Sequence, residues 1–339
     1  MNPALRITLG ATAVVAITAL GLASQHDPDR GGFPAGGSVA YVALGDSVAS
    51  GHGLGTNGLA LEADAAFGQP RANCQRSAGT SAADKAYPDL LRDELAARPD
   101  TEVRFSKLAC TGHTTADLLE YQLPPAERLL GPGPGVVTIT IGANDYHFSD
   151  PVTYLAALNP SQRVYDIWRA RIEATVRANL ATALTRLGRG RPQLRVLVTH
   201  YYNPFNADSA VFAVVPGCRR PQAGGGLDCA GRVAAAIEGL NQTIGEAVTA
   251  YRSERGVDWA TVALTGGVGE AFAGHEAPRP NCGSAAPDTG QSWIQSPPHP
   301  LLVEALIGEQ RLGTGGDCFH PSAVGHQVLA RLVLASLTE

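Results

Sequence analysis

Five short apolar, β-branched runs punctuate the chain: Val39 to Gly45, Val103 to Ala109, Val136 to Ile141, Leu194 to His200 and Val257 to Leu264. Each reads as a buried strand. Helical patterns fill the intervals. Tyr87 to Ala97 carries apolar Leu90, Leu91 and Leu95, and further patterns run from Val164 to Leu187, Arg232 to Tyr251 and Ser322 to Leu337. Strand followed by helix, repeated along the chain, predicts an α/β protein in which a parallel sheet is covered on both faces.

The first residues form a separate unit. Arg6 closes a short polar start, Ile7 to Ala23 is uncharged and apolar, and Ser24-Gln25-His26-Asp27 is polar. That layout predicts a secretory signal peptide over 1–23, with an uncleaved membrane anchor as the rival. Gly21 and Ala23 favour cleavage near Ser24. Gly31-Gly32 and Gly36-Gly37 mark 24–37 as a linker, which leaves 38–339 as one domain. With 44% apolar residues in 339, the chain can build a sizeable core without a partner and is expected to be a monomer. A net charge of -5 and the lack of any basic run argue against nucleic acid.

Six cysteines in an exported chain form an even set that can pair, in any of 15 connectivities. Sequence does not choose among them. Nearest-neighbour pairing is the expectation, Cys74 with Cys110, Cys218 with Cys229 and Cys282 with Cys318, each closing a loop between predicted elements. No C-x-x-C pair and no His pair at helical spacing occurs, so neither a metal nor another cofactor is expected. The Pro/Gly-rich stretch Gly266 to Gly316 is too long for an idle connection and predicts a lid or pocket wall.

In parallel sheets ligands bind beyond the carboxyl ends of the strands. Three loops there carry candidate chemistry: Gly45-Asp46-Ser47, Cys110-Thr111-Gly112-His113 and Gly142-Ala143-Asn144-Asp145. Ser47 lacks the G-x-S-x-G setting of α/β-hydrolases, and a serine after a strand commonly caps a helix. As a nucleophile it needs a base and a group to orient that base. Asp317-Cys318-Phe319-His320, just before the last helix, offers both, with Asp317 one turn from His320. The Asn144 amide and the Gly112 backbone N–H are candidate oxyanion donors, although Asn and Gly are also ordinary turn residues. Asp46 and Asp145 read as structural hydrogen-bonding groups, and His326 as a helix residue distinct from the base. His52, His113 and His147 share the three loops, and Leu54, Leu59, Phe148 and Ile294 could line an acyl groove.

Taken together, G-D-S, A-C-T-G-H-T-T, G-A-N-D and D-C-F-H-P-S resemble the four motif blocks of SGNH (GDSL-type) hydrolases, over Val39 to Leu337. The resemblance implies a three-layer α/β/α, flavodoxin-like parallel sheet of about five strands. It implies Ser47 as nucleophile, His320 and Asp317 completing a triad, and Ser47, Gly112 and Asn144 as the oxyanion hole. The leader and six cysteines look like the secreted actinobacterial lipases and esterases of that family, which carry three sequential disulfides. Ala143 stands where a second glycine is usual in that group, whose members differ in whether a side chain or a backbone carbonyl orients the histidine. The implied partner is a small-molecule or lipid ester, met outside the cell or at its wall, without stable membrane insertion after leader cleavage. Sugar O-deacetylation and a catalytically inactive glycan-binding protein are the alternatives.

Overall fold

The computed structural model describes residues 37–52, 54, 85–146, 161–205, 218, 227–256, 262–273 and 320–338. All of them belong to one unit running Phe33–Glu339. Five strands, β1 (Gly37–Gly45), β2 (Thr101–Lys107), β3 (Gly135–Thr140), β4 (Leu194–Thr199) and β5 (Val262–Thr265), form one parallel sheet in the order β2-β1-β3-β4-β5. β3 is buried along its whole length, as is β1 beyond its first two residues, as expected for central strands with helices on both faces. Edge strand β2 alternates between covered and exposed positions. Chain order reverses between β1 and β3, and a parallel sheet opens a crevice at such a switch point.

One face of the sheet is covered by α2 (Tyr87–Ala96) and the C-terminal α7 (Ala323–Thr338), which pack on each other. The other is covered by α3 (115–130), α4 (Gln162–Gly188) and α5 (Cys229–Arg255). Beneath α2, Tyr87 Oη lies 2.6 Å from Thr140 Oγ1, which in turn lies 2.6 Å from Thr199 Oγ1. Lys107 and Asp89, both buried, pair at 2.7 Å and tie β2 to α2. α1 (Ser47–Ser50) and α6 (Val268–Phe272) are single short turns.

Helix α3 has no counterpart in the hydrophobic pattern, because Pro124-Pro125 interrupts it. The segment is helical nonetheless, as an α-turn at Thr115–Asp117, a wide π-turn at Leu118–Gln122 and an α-helix at Leu123–Leu130. The two prolines stand at the start of the last piece, where a missing N–H costs little. The π-turn, closed by Leu123 N to Leu118 O, accommodates the change. Gln122 ends that turn and is buried against the sheet.

The other expected elements appear within a few residues of their predicted bounds. Gly37, read as linker, already belongs to β1 and donates to Asp100 O at 2.7 Å. The expected strand from Val257 begins, within the described residues, at Val262. Of the Gly266 to Gly316 stretch, 266–273 is described and packs inward through Val268 and Phe272, while the rest of the expected lid lies outside the described residues. Cys218 and Cys229 are disulfide-bonded, as nearest-neighbour pairing requires. Cys110 is also disulfide-bonded, to a cysteine outside the described residues, where Cys74, Cys282 and Cys318 lie. The expected leader, 1–23, lies outside them as well. Among the described residues no helix is long and apolar enough to cross a membrane.

Candidate active site

The residue before Asp46 and Ser47 sets their presentation. Gly45 ends β1 at φ 138°, and a Cβ there would overlap Thr140 O, so only glycine lets the two strand ends approach this closely. Asp46 N then reaches Thr140 O at 2.9 Å. Asp46, rather than Ser47, is the helix cap: its Oδ1 accepts from Val48 N at 2.9 Å. Ser47 is therefore the first residue of α1, and its side chain is released from capping. Its Oγ lies 2.6 Å from His320 Nε2, across 273 residues of sequence. His320 precedes Pro321 and Ser322, and Ser322 Oγ accepts from Gly325 N at 3.3 Å to start α7. Asp317 lies outside the described residues.

The second and third loops are tied to the first. Ser50 Oγ contacts Thr111 Oγ1 at 3.1 Å, linking α1 to the turn that carries Gly112. That turn closes through His113 N to Cys110 O at 3.2 Å and holds Gly112 at φ 81°, a left-handed conformation that favours glycine. Asn144 sits on a short 3-10 turn, Ala143–Tyr146, and its Nδ2 donates to His113 O at 3.0 Å. One amide hydrogen is spent on this tie, which orients the second. Asp145 is structural, accepting from Thr115 N at 2.9 Å and Thr115 Oγ1 at 2.6 Å. Ser47, Gly112, Asn144 and His320 thus belong to one hydrogen-bonded group of loops at the carboxyl edge of the sheet.

Three supporting residues carry no signal in the sequence. Gln122 spans Gly45, its Oε1 accepting from Gly45 N and its Nε2 donating to Gly45 O, both at 2.8 Å. Asn241 does the same for Tyr201, accepting from its N at 2.7 Å and donating to its O at 2.8 Å. The Tyr201 hydroxyl donates to Asp46 Oδ2 and accepts from the Ala143 backbone N–H, so one phenol joins the Ser47 loop to the Asn144 loop. Of the loop histidines, His113 is buried with Nδ1 2.9 Å from Gln122 Nε2, and His52 packs on His320 with ring centroids 4.4 Å apart. His147 lies outside the described residues. Leu54 is buried, and Leu59, Phe148 and Ile294 lie outside the described residues.

Two buried groups beside Ser47 and His320 titrate abnormally, in opposite senses. Burial pushes the Asp46 carboxyl up to about 6, with the Tyr201 and Val48 hydrogen bonds and the His320 charge opposing it. Burial also pushes His326 down to about 3, helped by His320 and Lys107. Its Nδ1 accepts from Tyr87 N at 3.2 Å, which requires the neutral ring. The unfolded chain protonates His326 near its ordinary value of 6.5, so this residue removes stability as pH falls from there toward about 3. Folded Asp46 holds its proton more tightly than the unfolded chain does, so it adds stability as pH falls from about 6 to 3.8. Moving a pKa by one pH unit on folding is worth about 1.4 kcal/mol, and where the two windows overlap the opposite slopes largely cancel in the wild type. Urea unfolding at pH 7 and pH 4.5 should therefore show His326→Gln gaining relative stability in acid and Asp46→Asn losing it. Identical pH dependence in all three proteins would contradict both assignments.

Comparison with known proteins places this geometry. The family model of the GDSL-like lipase/acylhydrolases matches residues 41–333. A lipase of Streptomyces rimosus is 33% identical over 163 residues, 48% of this chain and 52% of that protein, so the chain spans about half the length of that curated relative. Lipase 2 of Streptomyces coelicolor is 30% identical over 233 residues, 63% of this chain and 70% of that protein. Among solved structures, phospholipase A1 from Streptomyces albidoflavus superposes with a TM-score of 0.54 at 21% identity, covering 89% of this chain and 100% of that one, and shares the fold. The match over 41–333 takes in Ser47, the turns that carry Gly112 and Asn144, and His320, and the chain belongs to the GDSL-like lipase/acylhydrolase family.

Proposed function

We propose that this chain is a secreted serine hydrolase that cleaves lipidic acyl esters through an acyl-enzyme, with Ser47 as nucleophile and His320 as general base. The observation that carries this reading is the 2.6 Å contact between His320 Nε2 and Ser47 Oγ. As Oγ attacks the ester carbonyl, its proton passes to Nε2. The oxyanion is met by the N–H groups of Ser47 and Gly112 and by the Asn144 hydrogen not committed to His113. His320 then returns the proton to the leaving alkoxide, and water, activated by the same imidazole, releases the acid. Asp317 is assigned to orient the ring. The base must be neutral, so activity falls in acid.

Preference for lipidic esters is supported by the curated relatives, which are lipases, and by the phospholipase A1 that shares the fold. Secretion is supported by the apolar leader, by six cysteines and by the disulfides at Cys218–Cys229 and Cys110. The test is hydrolysis of p-nitrophenyl esters from acetyl to palmitoyl by the oxidised, mature protein. An optimum at medium or long chains supports the reading. An optimum at acetyl with loss beyond butyryl replaces it with a sugar or other short-acyl esterase, and no turnover by folded protein replaces it with a binding role.

A further inference from the structure

A second ring stands at the catalytic pair, and the steps above do not use it. His52 follows the left-handed Gly51 that ends α1, and its backbone N–H donates to Ser47 O at 3.0 Å. Its position is thus fixed relative to the nucleophile by one hydrogen bond. The imidazole turns toward the base: ring centroids of His52 and His320 are 4.4 Å apart with planes inclined at 39°. On its other side Nδ1 lies 3.4 Å from Thr111 Oγ1, itself tied to Ser50. Both rings are half-buried.

We propose that His52 is a positioning residue for the base: its ring holds the His320 imidazole against Ser47 Oγ, and as a second imidazole in ring contact it competes with His320 for the proton in acid. The inference rests on the reading of Ser47 and His320 as nucleophile and base. Two cations at this separation repel, so the rings bind protons in two coupled steps and the doubly protonated state is disfavoured. A proton on His52 Nδ1 has the Thr111 hydroxyl to donate to. While it is there, His320 keeps its lone pair for the Ser47 proton. Asp46 and His326 also interact with His320. Asp46 favours its cation, and His326 is held neutral by burial. Unlike those two, His52 lies in ring contact with His320 and can carry a positive charge that opposes the His320 cation.

The test is the pH profile of kcat and kcat/KM on a p-nitrophenyl ester for wild type, His52→Phe, His52→Ala and Ser47→Ala. Phenylalanine keeps a ring against His320 and removes the titration. It should retain kcat at pH 8 to within about threefold while its acid limb moves up by about half to one pH unit. Alanine removes both. It should show the same limb shift and in addition lose about tenfold in kcat, with KM changed less, because the base is no longer held. Limbs that superimpose on wild type, or that move down, would overturn the inference. Two failures are separable. If wild type turns over and Ser47→Ala does not, yet the His52 limbs superimpose, the inference about His52 alone is lost. If wild type and Ser47→Ala are equally silent, the ester-hydrolase reading is lost with it.

Discussion

Replacing Ser47 by alanine should lower kcat by about four to six powers of ten, and adding His320→Ala to it should cost almost nothing more. The reason lies in the 2.6 Å contact. A serine hydroxyl is a weak nucleophile until its proton is taken, and in the proposed mechanism an imidazole without that hydroxyl has no acyl-enzyme to form. On that mechanism the two residues act as one unit, and each single variant removes the whole of it. Residual turnover belongs to water attacking a carbonyl held by the oxyanion donors. Fold should be intact in both variants, since Asp46 rather than Ser47 caps α1 and Ser322 starts α7. Steady-state kinetics of the two single variants and the double variant, with circular dichroism as the fold control, checks this. Additive losses would mean that the serine and histidine work separately.

Asn144→Ala should lose about two to three powers of ten in kcat with little change in KM. The side-chain amide is pre-aimed because its other hydrogen is held by His113 O at 3.0 Å, so no reorganisation accompanies charge development on the substrate oxygen. Its contribution is realised in the transition state, where the oxygen is anionic, far more than in the ground state. Gly112 cannot compensate, since its donor is backbone on a different turn. A loss that appears wholly in KM would show Asn144 to be a binding contact and remove it from the oxyanion hole.

The strands, long helices and loop chemistry are legible in the sequence because each is local: apolar runs, 3.6-residue spacing, and turn residues directly after strands. In a parallel sheet the topology then gathers those loops at one edge whatever their spacing along the chain. What the sequence does not reveal is the apparatus that holds them. Gln122 acts on Gly45 across 77 residues, Tyr201 on Asp46 across 155, and Asn241 on Tyr201 across 40. Each is a polar residue in an ordinary setting, and its role exists only once the fold has formed. The choice between Asp46 and Ser47 as cap is of the same kind. Both residues can cap a helix, and the close approach of Gly45 to Thr140 decides which of them does. Helix α3 is hidden for a different reason, since a proline pair breaks helical patterns except at the start of a helical segment.

Strand termini are where a parallel sheet loses its backbone partners and where fraying begins. At Gly45, the last residue of β1, and at Tyr201, two residues beyond β4, a carboxamide adds one donor and one acceptor, at Gly45 alongside the Cys110 N–H that reaches the same carbonyl at 3.0 Å. The carboxyl edge of the sheet is thereby tied to the helices behind it, and the point from which Ser47 is presented stays where Gln122 and Asn241 pin it, whatever the loops above carry.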